Sequence, residues 1–194
     1  MNVCVYGASS AEIDKSYIEQ TEELGFKLGK RGHNLVFGGG ANGLMGAAAR
    51  GVYSGGGSII GVAPSFFKVD GVLFDKCTEL IYTETMRERK AIMESHADAF
   101  IAVPGGIGTF DELFEILTLK QLGRHNKPVV IFNINGYFDG FSNMLSIAVK
   151  EKIMTENSAG LVHIFENADT LINFLENYKS DDYDFSVLKK VKMD

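Results

Sequence analysis

The chain is poor in cysteine and in basic charge, and it holds no apolar run of bilayer length. Cys4 and Cys77 stand far apart among 194 residues with no CxxC spacing. That excludes a disulfide framework and a thiolate metal site, and it points to a reducing, cytoplasmic setting. Nineteen basic residues face 25 acidic ones, for a net charge of −6, so neither nucleic acid nor an anionic membrane is an expected partner. Any bound phosphate must be held by local geometry. The first apolar run, Val3 to Tyr6, is too short for a signal peptide, and no later run reaches membrane-spanning length. His33, His96, His125 and His163 are scattered without metal-ligand spacing, and no GxSxG elbow is present. No metal and no redox or pyridoxal cofactor is therefore expected.

What is present is a regular alternation. Strand-like runs at Asn2–Tyr6, Asn34–Phe37, Ser58–Val62, Glu79–Tyr82, Ala99–Val103, Pro128–Asn133 and Val162–Phe165 are separated by helical patterns. The helices are expected at Ser16–Lys30, Gly43–Tyr53, Thr85–Ser95, Thr109–Leu122, Phe138–Lys150 and Ala168–Tyr178. Continuously apolar strands such as Phe100-Ile101-Ala102-Val103 suit a sheet covered on both faces. The expectation is an α/β fold: a Rossmann-like doubly wound parallel sheet in a three-layer αβα sandwich. No linker or repeat divides the chain. One domain over residues 1–178 is expected, followed by a polar tail at 179–194.

In such a sheet, ligands bind where the loops leave the carboxyl ends of the strands. Three loops qualify: Gly7-Ala8-Ser9-Ser10, Gly38-Gly39-Gly40-Ala41-Asn42-Gly43, and Pro104 to Glu112. The second fits GxGxxG through Gly38, Gly40 and Gly43, but the acidic residue that should follow about 20 positions on is replaced by Gly61-Val62-Ala63-Pro64-Ser65. A dinucleotide oxidoreductase is thus disfavoured, and a tight packing turn is an equal reading of this loop. Neither glycine loop ends in the Gly-Lys-Ser/Thr of an NTPase.

The third loop, Pro104-Gly105-Gly106-Ile107-Gly108-Thr109-Phe110-Asp111-Glu112, joins an apolar strand to a helix start. Glycines let the backbone approach an anion, and helix N–H groups with the positive dipole end receive it. Thr109-x-x-Glu112 also matches a capping box, and the two readings are compatible. Upstream, Met86-Arg87-Glu88-Arg89-Lys90 places Arg89 and Lys90 on the same helix face as Met86 and Met93. Basic groups on an apolar face call for a carboxylate or phosphate opposite, snorkelling to solvent being the alternative.

These two segments, MxxRK and PGGxGTxxE, together with Leu35–Ala47 (LVFGGGANGLMGA) and Gln121-Leu122-Gly123, resemble the Lonely Guy (LOG) family, long labelled lysine decarboxylases. The likeness spans roughly residues 1–178. One departure is Tyr6-Gly7-Ala8-Ser9-Ser10, where relatives often have Cys-Gly-Ser-Ser.

The resemblance implies hydrolysis of the N-glycosidic bond of an adenosine 5′-monophosphate, N6-modified or plain, by a homodimer without cofactor. It also implies that Gly105, Gly106, Ile107, Gly108 and Thr109 form the phosphate-binding turn, with Phe110 and Asp111 among the substrate-binding residues. Glu112 becomes the carboxylate near C1′ and Arg89 the charged group that orients it or meets the substrate. Lys90 is a weaker anion contact, and Thr118 lines the pocket or packs the helix. A non-hydrolytic nucleotide or molybdenum-cofactor carrier of the same fold is the alternative; such a carrier needs the glycine turn but no carboxylate.

Overall fold

The computed structural model describes residues 1–69 and 71–179; the expected tail from residue 180 onward lies outside the described residues. Seven strands form one all-parallel sheet: β1 (Asn2–Tyr6), β2 (Asn34–Phe37), β3 (Ile59–Pro64), β4 (Glu79–Thr83), β5 (Ala99–Ala102), β6 (Val129–Phe132) and β7 (His163–Phe165). Their order is β4-β3-β2-β1-β5-β6-β7, so the winding reverses between β1 and β5. The helices are α1 (Lys15–Lys30), α2 (Gly43–Gly55), α3 (Met86–His96), α4 (Ile107–Gln121), α5 (Asp139–Lys150), α6 (Glu156–Ala159) and α7 (Ala168–Asn177).

Alternation along the strands builds two cores. Val3, Val5, Leu35, Phe37, Ala99 and Ile101 face Leu24 and Leu28 of α1, Leu44 and Val52 of α2, and Leu171 and Ile172 of α7. Cys4, Tyr6, Val36, Phe100 and Ala102 face Met93 of α3, Leu113 and Ile116 of α4, and Phe141 of α5. Burial on both faces is what a continuously apolar parallel strand requires, and it yields the expected three-layer sandwich.

Boundaries of the expected elements follow the sequence to within a residue or two. The 3₁₀ turns at Ser65–Phe67 and Ile134–Gly136 and the one-turn α6 carry no periodicity long enough to announce them. One boundary shift matters for the site: α4 begins at Ile107 with Gly106 as its N-cap, two residues before the expected Thr109. Thr109 is therefore inside the first turn, and the Thr109–Glu112 capping box does not form. The box forms instead at α3, where the Thr85 hydroxyl accepts from the Glu88 amide at 3.2 Å and the Glu88 carboxylate accepts from the Thr85 amide at 3.1 Å.

Among the described residues, no helix is long and apolar enough to cross a membrane, and no group of three or more His, Cys, Asp and Glu side chains could hold a metal ion.

Candidate active site at the sheet reversal

The register aligns Tyr6 with Ala102 and Val5 with Phe37, so the turns after β1, β2 and β5 emerge side by side where the winding reverses. A crevice at that point is where open α/β sheets bind ligands.

The turn after β5 is built around Gly105. Its carbonyl accepts the Tyr137 hydroxyl at 2.6 Å, and a Cβ there would collide with the Thr109 side chain. The Pro104 carbonyl accepts the Ala8 amide at 3.1 Å, tying this turn to the one after β1. The first bond of α4 runs from the Phe110 amide to the Gly106 carbonyl at 3.1 Å. The amides of Ile107, Gly108 and Thr109 precede it and have no acceptor within the helix. Gly106, Ile107 and Gly108 are exposed, and a Cβ built on either glycine meets no heavy atom within 4 Å. The helix start is open, donor-rich and at the positive dipole end.

The glycine turn after β2 has a different use. Gly43 has φ +61°, and the Ala8 carbonyl caps α2 by accepting the amides of Leu44 at 2.8 Å and Met45 at 3.3 Å. The α2 start is thus already occupied by the protein's own backbone. Gly38 lies against the Arg89 guanidinium, where a Cβ would overlap it.

That guanidinium is the centre of the site. Arg89, 8% exposed on α3, donates from Nη2 to Glu112 Oε1 on α4 at 2.7 Å, and Glu112 is likewise 8% exposed. Arg89 Nη1 lies 3.8 Å from the Met86 sulfur, and its Nε is buried without a hydrogen-bond partner among the described residues. Burial pushes the Glu112 carboxyl above its ordinary range, while Arg89 opposes the shift. Behind the pair, burial holds the Tyr6 phenol and the Cys4 thiol well above their usual values, so both stay protonated.

The sequence places Arg89 on the buried face and requires a charged partner, and Glu112 is that partner. Met86, expected on the same buried face, is 41% exposed because α3 has only begun there. Lys90, expected to meet the substrate anion, has its ammonium between Asp111 Oδ2 at 2.9 Å and Glu115. Two acidic partners from the neighbouring helix had no signal in the MxxRK segment. The Phe110 ring packs edge-on against Phe138 at 6.3 Å, and Thr118 is exposed on α4. Sequence reasoning missed Gly38 and Tyr137. The first glycine of the second loop is a faint signal for a close approach, and Tyr137 carries none.

Fold and site together define a Rossmann-like α/β protein whose sheet-reversal crevice offers helix-start donors for an anion beside a buried arginine–glutamate pair. Residues 45–175 match the family model described as "Possible lysine decarboxylase". The chain is 40% identical over 176 residues to the cytokinin riboside 5′-monophosphate phosphoribohydrolase LOG of Oryza sativa, covering 91% of this chain and 73% of that protein. It is 37% identical over 183 residues to LOG2 of Arabidopsis thaliana, with the same activity in its name, covering 93% and 86%. The molybdenum cofactor carrier protein of Chlamydomonas reinhardtii superposes with a TM-score of 0.69 at 25% identity, covering 90% of this chain and 95% of that one. The chain belongs to the Lonely Guy family.

Proposed function

We propose that the protein hydrolyses the N-glycosidic bond of adenosine 5′-monophosphates, N6-modified or plain, releasing the base and ribose 5-phosphate. The observation that carries this reading is the buried Arg89–Glu112 pair at 2.7 Å beside an open helix start. The amides of Ile107, Gly108 and Thr109, with the Thr109 hydroxyl, bind the 5′-phosphate and fix the ribose. As the bond to the base breaks, positive charge grows on the sugar. The Glu112 carboxylate, held by Arg89, stabilises that charge and orients the attacking water. Arg89 does not release its proton, so its role is electrostatic.

Two supporting features concern assembly and setting. Phe114 on α4 and Leu122 at its C-cap, 43% and 58% exposed, suit a homodimer contact along that helix, which sizing in solution tests. The unpaired thiols Cys4 and Cys77 suit a reducing cytoplasm.

The likeness to a molybdenum-cofactor carrier keeps a second reading in view, that of a nucleotide-binding module without hydrolysis. Incubation with AMP and with N6-isopentenyladenosine 5′-monophosphate, followed by chromatography, separates the two. Free base and ribose 5-phosphate are expected from the wild type. Glu112→Gln, which retains the shape but not the charge, is expected to lose about 10²–10⁴-fold in rate. Binding of a nucleoside monophosphate with no release of base from any of them would replace the hydrolase with the carrier.

A further inference from the structure

Next to the Arg89–Glu112 pair lies a second rung between the same two helices. Lys90 on α3 is 18% exposed at its side chain, and its ammonium is 2.9 Å from Asp111 Oδ2 and in contact with a Glu115 carboxylate oxygen. Asp111 immediately precedes Glu112, and Glu115 is one turn beyond it. A cavity about large enough for one water is bordered by Tyr6, Lys90, Glu94, Glu112 and Glu115. The groups facing Glu112 are therefore Arg89, Lys90 and Glu94 from α3, Asp111 and Glu115 from its own helix, and the protonated Tyr6 and Cys4 from β1.

This is a crowded acidic neighbourhood. Three carboxylates besides Glu112 gather there, and Arg89 alone cannot offset them, since its Nη2 is committed to Glu112. We infer that Lys90 is a positioning residue rather than a phosphate contact: by neutralising Asp111 and Glu115 it keeps Glu112 ionised and holds α3 and α4 in the alignment that the Arg89–Glu112 bond needs. An incoming phosphate would have to displace two carboxylates already on the ammonium. The direction of the electrostatics agrees, since Lys90 lowers the Glu112 pKa and Asp111 raises it, and Lys90 is itself held above its usual value, chiefly by the bond to Glu115. The role assigned to Glu112 rests on the hydrolase reading, but its ionisation can be measured without turnover.

The test is a titration of the Glu112 carboxyl carbon by NMR in protein labelled at glutamate Cδ, with Glu112→Gln supplying the assignment, run beside pH profiles of base release. Lys90→Met keeps the volume and removes the charge. It is expected to raise the Glu112 midpoint by about one pH unit and to move the acid limb of kcat/KM upward with it. Lys90→Arg should restore both. Asp111→Asn with Glu115→Gln, in a chain that keeps Lys90, should move the midpoint the other way, which preserves the test if Lys90→Met fails to fold. A Glu112 midpoint unmoved by these variants, or a Lys90→Met enzyme whose acid limb stays in place while KM for the nucleotide rises, would return Lys90 to the phosphate. Should no nucleoside monophosphate be hydrolysed, the function falls while the titration still decides the role of Lys90.

Discussion

Two glycine-rich turns leave the strands on either side of β1 and enter helices, and they have opposite uses. After β2, Gly38 to Gly43 is filled from within: the Ala8 carbonyl caps α2, and Gly38 yields its side-chain space to Arg89. After β5, the turn is braced from behind by Tyr137 and Ala8 while Gly106, Ile107 and Gly108 at its helix start are exposed. In sequence the first looks more like a dinucleotide-binding loop, since it satisfies GxGxxG. That loop lacks the acidic residue a dinucleotide site needs, and its geometry adds a second reason, because a helix start binds an anion only if its amides are not already capped. The glycine count does not say what fills the space each glycine leaves.

Substitution by alanine tests this division, and the largest effect is expected at Gly38. A Cβ there would overlap the Arg89 guanidinium, whose escape from the overlap breaks its bond to Glu112. Gly38→Ala is expected to lower base release by roughly 10²-fold, as displacement of a catalytic group by an ångström can do. Tm should fall as well, because separating a buried ion pair leaves each charge without its partner. A Gly38→Ala enzyme with wild-type kcat would detach the β2 turn from the catalytic pair.

At Gly43 the loss should be in stability. Its φ of +61° is one that residues with a side chain adopt reluctantly, and a Cβ would also press on the Ala8 carbonyl and lie 2.7 Å from that of Ser10. Gly43→Ala is expected to cost about 2 kcal/mol, or roughly 4–8 °C in Tm, with most of the activity retained per folded molecule. Thermal unfolding beside active-site-normalised rates checks it. A fall in rate with no fall in Tm would move the anion to the α2 start and erase the distinction between the turns.

Legibility in the sequence followed the range of the interactions. The sheet and its layers were readable because alternating burial is written into each strand: Cys4 and Tyr6 face one core and Val3 and Val5 the other. Arg89 was readable because a cation on an apolar helix face has few alternatives to pairing. The start of α4 was misplaced because Thr109-x-x-Glu112 imitates a cap, while the real cap, Gly106, has no side chain to recognise. Lys90's partners and Gly38's neighbour come from other elements, and no local pattern encodes a contact between two helices or between a helix and a distant turn.

The smallest effect, and the most pointed, is expected at Gly108. A Cβ there enters open space, and the residue sits in the first turn of α4, so alanine neither strains the backbone nor disturbs packing. Tm should hold or rise slightly, since alanine at a compatible helical position lowers the entropy of the unfolded chain. The new methyl would occupy the space in which phosphate oxygens approach the Ile107, Gly108 and Thr109 amides. KM for the nucleoside monophosphate is expected to rise about tenfold, equivalent to about 1.4 kcal/mol of lost binding, with kcat changed much less. A Gly108→Ala enzyme with unaltered KM would place the phosphate away from the β5 turn. A rise in KM at constant Tm, set against a loss of Tm at constant KM for Gly43→Ala, would separate a turn that receives a ligand from a turn that closes on the protein itself.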